Sequence, residues 1–250
     1  LEIGRRSGVK VHFSHYRTVP ENAGRVAERL ELIDKGKAEG IDCSLELYPY
    51  PSGSSFPLSF LPSYAHEGGP DAIIERLSDP MERRRLIDYL DDDYPRPLDD
   101  AVFTHLPKNR HLEGMSLPDI ASDREVSMGE ALCDLLLDED TQVGYRGAPP
   151  QSVAVWRQIS RDALEFLSRP DYMVGSDAIP LGGLPHPRAY GTFPRFLGRL
   201  RREFGVLGLE QMVQRMTDNP ARRFGLNGRG RVEEGGYADI VVFDSDRIID

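Results

Sequence analysis

The first part of the chain alternates between two hydrophobic patterns, and this alternation constrains the fold more than any other feature. Residues 9–15 alternate apolar and polar side chains, which predicts a strand, and residues 41–48 predict a second strand. Between them, apolar residues recur at helical spacing from Val26 up to Gly40, which readily adopts the left-handed backbone that ends a helix. This order of elements predicts a βαβ unit with parallel strand pairing.

The rest of the chain continues the α/β pattern around a long irregular region. A helix followed by residues 172–177 predicts a third parallel strand, which ends at Asp177. From residue 51 to about residue 147, clusters of Pro, Gly and Asp separate short helical stretches, so we interpret this region as an inserted lid or subdomain. The predicted helices cover residues 81–90 and 117–137 in this insert, residues 152–167, 193–204 and 209–217 beyond it, and a short segment from Asn219.

Both ends of the sequence have the pattern expected in the middle of a larger protein. Residues 1–8 predict the end of a helix that leads directly into the first strand, without an initiator methionine. Residues 238–244 predict a further strand, shortly before the sequence stops at Asp250. We therefore expect the chain to be a fragment.

Composition narrows the class of protein. With 39% hydrophobic and 29% charged residues, the 250-residue chain can bury a sizeable core as one domain. The net charge of -10 is spread among residues of both signs, which argues against nucleic acid and membrane partners. No apolar run approaches the roughly 18 residues that span a bilayer, and the N-terminus lacks a signal peptide's apolar segment. Cys43 and Cys133 lie far apart in unrelated contexts, so we expect buried core thiols in a reducing cytoplasm.

Each of the three predicted parallel strands ends in a residue that can take part in chemistry. His15 ends the first, Tyr48 the second and Asp177 the third. Because the C-terminal ends of parallel strands meet at one edge, where the βα loops form the open face, we expect these side chains to lie together. An imidazole and a carboxylate at such an edge can ligate zinc and handle its activated water.

Several motifs in a fixed order extend this interpretation to a family. They are Ser-His-Tyr-Arg at 14–17, Tyr-Pro-Tyr-Pro-Ser-Gly-Ser-Ser at 48–55, Gly-Ser-Asp at 175–177 with His-Pro-Arg-Ala-Tyr-Gly-Thr-Phe-Pro-Arg at 186–195, and the run from 216 to 244 that contains Asn-Pro-Ala-Arg. In these blocks the sequence resembles the N-acyl-D-amino-acid deacylases, or D-aminoacylases, of the metal-dependent amidohydrolase superfamily. The resemblance runs the length of the chain apart from the insert.

This resemblance implies a fold and a reaction. The fold would be the C-terminal part of a TIM-like (β/α)8 barrel over residues 1–226, with the lid-like insertion at about 51–147. Residues 227–250 would begin the C-terminal β segment of a small β-sandwich. The reaction would be zinc-dependent hydrolysis of small N-acyl-D-amino acids to a carboxylate and a free D-amino acid. The chain's partner would be its missing N-terminal half or a second copy of itself.

The resemblance also implies roles for individual residues. His15 matches a zinc-ligating histidine. Asp177 matches the aspartate that takes a proton from the metal-bound water and can also touch the metal. The substrate's carboxylate would be held by four further side chains: Arg17, Tyr48, Ser54 and Arg188. A guanidinium suits that task because it meets a carboxylate with two parallel hydrogen bonds.

The sequence departs from the family in three ways. Arg17 stands where the family more often has lysine, which puts the substrate preference in doubt. Glu46 stands where an aspartate is usual, a milder change. The His-x-His of the first strand, the metal-binding cysteine of the second and the histidine of the fifth have no counterpart, because those strands would precede Leu1.

Other residues have simpler structural interpretations, and two other functions stay open. We expect His12 to pack under a helix, Trp156 to lie in the core, and His186 to shape the loop that contains it. The remaining histidines, His66, His105 and His111, lie in the insert, where structural roles are more common than ligation. The alternatives are a cyclic-amide hydrolase of the same superfamily, such as a hydantoinase or dihydroorotase, and an inactive remnant that only folds or binds.

Overall fold

The computed structural model describes residues 1–96 and 98–250, which form two compact units. The first unit comprises Leu1–Pro51, Pro150–Ala178 and Pro187–Asp250. The second comprises Ser52–Pro149 and Ile179–His186. The interpretation of residues 51–147 as a lid is a statement about function and stays a prediction.

Helices and strands alternate along most of the chain. The α-helices are α1 (Glu2–Ser7), α2 (Val26–Ala38), α3 (Pro70–Ser78), α4 (Pro80–Asp88), α5 (Leu117–Arg124), α6 (Met128–Asp138), α7 (Val153–Ser168), α8 (Arg188–Arg195), α9 (Arg201–Phe204), α10 (Leu209–Met216) and α11 (Asp218–Phe224). The strands are β1 (Val11–Phe13), β2 (Cys43–Leu47), β3 (Ser54–Ser55), β4 (Ala101–His105), β5 (Gly144–Gly147) and β6 (Met173–Val174). Short 3-10 turns cover Pro20–Asn22, Pro57–Phe60, Ser63–His66 and Arg110–Leu112, and π-helical turns cover Tyr89–Asp93 and Phe196–Leu200.

The sheet of the first unit has the strand order β1-β2-β6, and both pairings are parallel. The predicted βαβ unit is confirmed by β1, α2 and β2, because Val11 pairs with Cys43 in parallel register. Leu45 and Leu47 are fully buried among apolar residues of α2 and α7. Since side chains alternate along a strand, Ser44 and Glu46 lie on the opposite face of the sheet.

Helix α11 is attached to the first unit's sheet region by two side chains, one from the Asn-Pro-Ala-Arg block and one from the arginine that follows it. The Asn219 amide donates hydrogen bonds to the backbone carbonyls of Pro170 and Tyr172, just before β6. The Arg223 guanidinium donates to the carbonyl of Val11 in β1. One short helix therefore holds β1 and the segment that leads into β6 through polar or charged groups that satisfy backbone carbonyls.

The second unit has its own sheet and core. Strands β3, β5 and β4 form an antiparallel sheet in that order, with a register shift between Phe103 and His105. Phe103, Leu132 and Leu136 are fully buried in a cluster of apolar residues within this unit. The sequence predicted helices in this region but not the sheet, because its strands are short and lack a regular alternation.

Two predicted elements differ from the structure by more than the position of their ends. The single helix over 117–137 is two helices, since Glu125 takes a left-handed backbone (φ 57°) that ends α5 and the Ser127 hydroxyl caps the start of α6. The strand over 238–244 is absent from the described residues: Val241 and Val242 are 81% and 93% exposed. A strand needs a partner for its backbone groups, and nothing in the described chain pairs with this segment. Trp156, predicted in the core, is only partly buried.

Candidate active site

The three residues expected to lie together follow the three parallel strands at their C-terminal ends. His15 follows β1, Tyr48 follows β2 and Asp177 follows β6. Backbone hydrogen bonds continue beyond the strands: the Tyr16 N–H donates to the Glu46 carbonyl at 2.9 Å, and the Gly175 N–H donates to the Leu47 carbonyl at 3.1 Å. The segments that contain His15 and Asp177 are therefore tied to the two sides of the same strand end.

His15 and Asp177 share an uncommon backbone conformation. Their φ angles are +42° and +48°, in the left-handed region that non-glycine residues seldom adopt. Such strain persists where the surrounding structure holds it, and it is often found at functional sites. The left-handed residues lie two positions after the end of β1 and three positions after the end of β6. His15 is exposed and Asp177 is partly buried.

Tyr48 is the centre of a cationic cluster. The guanidinium carbons of Arg17 and Arg188 lie 4.8 and 4.7 Å from the centroid of its ring. Arg17 also donates hydrogen bonds to the Tyr48 hydroxyl and to the carbonyl of Pro51, each at 3.1 Å. Two guanidinium groups on one buried ring are attracted by its π electrons and repelled by each other. The cluster therefore favours a nearby negative charge.

One negative charge in this cluster comes from Asp177. Its Oδ2 atom lies 2.7 Å from Nη1 of Arg188, whose side chain is almost wholly buried. No carboxylate of the described residues forms an ion pair with Arg17, which is partly buried. The charge of Arg188 is thus balanced within the chain, whereas that of Arg17 is available to an anionic ligand.

Comparison with known proteins shows which proteins this chain is similar to. A family model described as "Amidohydrolase family" matches residues 156–249. The N-acyl-D-glutamate deacylase of Alcaligenes xylosoxydans xylosoxydans is 32% identical over 251 residues, which cover 100% of this chain and 42% of that protein. The D-aminoacylase of the same organism is 30% identical, with the same coverage of both proteins.

A solved deacylase structure is similar to this chain over the whole of its length. The N-acyl-D-glutamate deacylase of Bordetella bronchiseptica, complexed with zinc and a phosphonate mimic of the tetrahedral intermediate, superposes with a TM-score of 0.71 at 30% identity. The match covers 100% of this chain and 43% of that one. Over its whole length this chain is similar to N-acyl-D-amino-acid deacylases. It spans 42% of the length of the curated relatives it matches.

Zinc is bound in the similar Bordetella bronchiseptica deacylase, and some of the residues described above are of the kinds that bind zinc. Among residues 1–96 and 98–250, no group of three or more His, Cys, Asp or Glu side chains is placed to hold a metal ion. An exposed imidazole at His15 and a carboxylate at Asp177 are nevertheless donors that zinc accepts, and both follow strands of one sheet. The described residues fit part of a zinc site, in which protein side chains usually supply three or four ligands.

The remaining histidine and cysteine predictions have structural outcomes. His12 packs against Phe224 of α11, as predicted, and its Nδ1 lies 2.7 Å from the Ser44 hydroxyl. His186 is buried in the second unit, where its Nε2 lies 3.0 Å from the Ser52 hydroxyl. Both cysteines are buried and reduced, and burial raises the pKa of the Cys133 thiol to about 12. No described helix is long and apolar enough to cross a membrane.

Ser54 belongs to β3 of the second unit, and the other predicted substrate contacts belong to the first unit. Its role as a substrate contact stays a prediction.

One residue near the site was missed in the sequence. Asp162 is fully buried in α7, and its carboxylate accepts hydrogen bonds from the Thr18 hydroxyl, the Gly24 N–H and the Gln158 amide, each at 2.7 Å. It therefore holds the loop that follows Arg17. The signal was present, because residue 162 falls on the apolar stripe of an amphipathic helix, where a charged side chain needs partners.

Proposed function

We propose that this chain provides part of the active site of a zinc-dependent hydrolase that cleaves N-acyl-D-amino acids to a carboxylate and a free D-amino acid. The observation that carries the proposal is the cluster at the strand ends. Arg17 and Arg188 flank Tyr48, and Asp177 pairs with Arg188 next to it. A site built from cations and a carboxylate suits a substrate that has both an anionic end and an amide to be cleaved.

The substrate's carboxylate would bind at Arg17. Its guanidinium is partly buried, is held by Tyr48 and the Pro51 carbonyl, and forms no ion pair among the described residues. A guanidinium held in this way can form two parallel hydrogen bonds with a carboxylate without first being ordered. Tyr48, Arg188 and Ser54 would be additional contacts to the same group.

His15 and Asp177 are the residues that would hold the metal. When bound, zinc lowers the pKa of a coordinated water and polarises the amide carbonyl. The Asp177 carboxylate would accept the proton released from water on an Oδ atom and deliver it to the departing amide nitrogen. Arg188 orients this carboxylate through the 2.7 Å contact to Oδ2. The Bordetella bronchiseptica deacylase structure is complexed with zinc, which supports this choice of metal.

The same proposal assigns the fold. Strands β1, β2 and β6 would be the last three strands of a TIM-like barrel, the second unit would act as its lid, and residues 227–250 would enter a small β-sandwich. The parallel order β1-β2-β6 is what three consecutive barrel strands require. The rest of the barrel would come from a segment preceding this one or from a partner.

The experiment is an activity assay on two proteins: this chain, and a chain extended upstream to the length of the relatives. Release of free amino acid is measured from N-acetyl-D-amino acids with zinc, with the N-acetyl-L-amino acids, a hydantoin and dihydroorotate as comparison substrates. We expect D-selective release by the extended chain. Asp177→Asn should abolish it, Arg17→Ala should raise KM, and Arg229→Ala on the surface should leave it unchanged.

Two results would contradict the proposal in different ways. Cleavage of the hydantoin or dihydroorotate in preference to the linear amides would show a cyclic-amide hydrolase. No cleavage of any substrate by either protein would leave an inactive remnant as the better account.

A further inference from the structure

The sheet of the first unit has a polar face, which is unusual for parallel strands. Opposite the apolar core, the Nδ1 of His12 lies 2.7 Å from the Ser44 hydroxyl, and the Ser14 hydroxyl donates to the Glu46 carboxylate. Parallel strands are normally apolar on both faces because helices cover them. A row of polar pairs across β1 and β2 therefore calls for an explanation beyond stability.

Glu46 contacts the turn that contains His15 at two points. Its Oε1 atom accepts hydrogen bonds from the Ser14 hydroxyl and from the backbone N–H of His15, the latter at 2.8 Å. A hydrogen bond to a carboxylate is roughly twice as strong as one between neutral groups. This pair of bonds stabilises the left-handed backbone of His15, which would otherwise be disfavoured.

Glu46 is itself confined on its other side. The residue is about nine-tenths buried, and its Oε2 atom is buried without a hydrogen-bond partner among the described residues. Gly175 lies against this atom: a Cβ added to Gly175 would come within 1.6 Å of Oε2. The absence of a side chain at position 175 is therefore what leaves room for the Glu46 carboxylate.

We propose that Glu46 is a positioning residue that fixes the His15 backbone and thereby orients the imidazole for its ligand. The part that concerns zinc rests on the function proposed above, whereas the positioning of His15 does not. Glu46 acts through His15 and need not touch the substrate. Substitution of a residue that orients a metal ligand without touching the metal typically changes metal affinity by about 10- to 100-fold.

The first measurement is the rate of amide hydrogen exchange at His15, which NMR reports on this chain. Glu46→Gln removes the charge that strengthens both bonds, and Gly175→Ala displaces the carboxylate from the opposite side. We expect the His15 amide to exchange about tenfold faster in each variant. Glu139→Gln is the matched control for the first, because Glu139 is also buried and accepts backbone N–H bonds from Lys108 and Asn109.

Gly208→Ala is the matched control for the second variant. A Cβ there would meet its nearest neighbour at 3.6 Å, an ordinary contact distance. The second measurement is the zinc dissociation constant of the extended chain, by competition with a chromophoric chelator. We expect a rise of at least tenfold with Glu46→Gln and no comparable change with Glu139→Gln.

The outcomes separate the two claims. Unchanged exchange at His15 in both Glu46→Gln and Gly175→Ala would overturn the positioning role. Equal loss of zinc affinity in Glu46→Gln and Glu139→Gln would also overturn it, since a general loss of stability would then be sufficient. Faster exchange at His15 together with no zinc binding by the unaltered extended chain would uphold the positioning of His15 and overturn the proposed zinc function.

Discussion

Asp250 forms a buried ion pair with Arg195, and the cost of breaking this pair can be predicted. Asp250 Oδ2 lies 2.6 Å from Nη1 of Arg195 and accepts a hydrogen bond from the Tyr50 hydroxyl at 3.0 Å. The Arg195 guanidinium also lies 4.9 Å from the centroid of the Tyr50 ring. The two ion-pair side chains are 6% and 13% exposed. Removing Asp250 would therefore leave a buried guanidinium without a counter-charge.

The expected cost follows from this burial. Breaking a buried ion pair by removing one partner costs about 3–5 kcal/mol, because the other charge stays buried and uncompensated. Asp250 keeps slight solvent access, so we place Asp250→Ala near the lower limit, at about 3 kcal/mol of unfolding free energy. For a chain of this size that corresponds to a fall in Tm of about 6–12 °C.

Equilibrium unfolding in urea measures this cost, with an exposed ion pair as the control. Asp239 pairs with Arg229, and these side chains are 58% and 43% exposed, so Asp239→Ala should cost at most about 0.5 kcal/mol. In the double variant Arg195→Met with Asp250→Ala, the cost should be about 2 kcal/mol less than the sum of the two single costs. If Asp250→Ala costs no more than Asp239→Ala, the reasoning from burial is refuted.

Three further predictions follow from other buried groups. Cys43 and Cys133 should react with a thiol reagent only after unfolding, because both are buried and burial raises the pKa of each thiol; rapid reaction of two thiols in the folded protein would contradict this. Burial lowers the pKa of His12 from its usual 6.5; the Glu46 carboxylate opposes this lowering and the Arg223 charge adds to it. At acidic pH the unfolded chain therefore binds a proton at this histidine more readily than the folded chain does, so the free energy of unfolding should fall as pH drops below about 6.5. The urea midpoint should fall between pH 7.5 and pH 5, and it should fall less in His12→Gln. Asp162→Ala should cost about 2–4 kcal/mol by loss of three hydrogen bonds; a change below 0.5 kcal/mol, measured by the same unfolding experiment, would contradict this.

The local periodicities of the sequence predicted the parallel part of the fold correctly. The alternation in residues 9–15 and the helical spacing up to Gly40 indicated β1, α2 and β2, although the strands in the structure are shorter than predicted. Strand ends depend on where backbone pairing stops, which a pattern of side chains does not reveal. The three residues that were predicted to follow the strands do follow them, because this placement depends only on chain order.

Interactions distant in sequence could not be predicted in this way. The run 199–202 has the composition of a solvated helix face, yet Arg201 and Arg202 donate hydrogen bonds to the backbone carbonyl of Ser245. Glu46 was noted only as an exchange of one acid for another. Its contact with the His15 backbone depends on the register of β1 against β2, which is set by packing in three dimensions.

The most direct test of the central claim is the zinc content of the extended chain, measured by elemental analysis after dialysis, in the unaltered protein and in His15→Ala and Asp177→Ala. The account predicts about one zinc or more per unaltered chain and a clear loss in His15→Ala, with the fold retained by circular dichroism. Equal zinc content in all three proteins, or no zinc in the unaltered one, would contradict it.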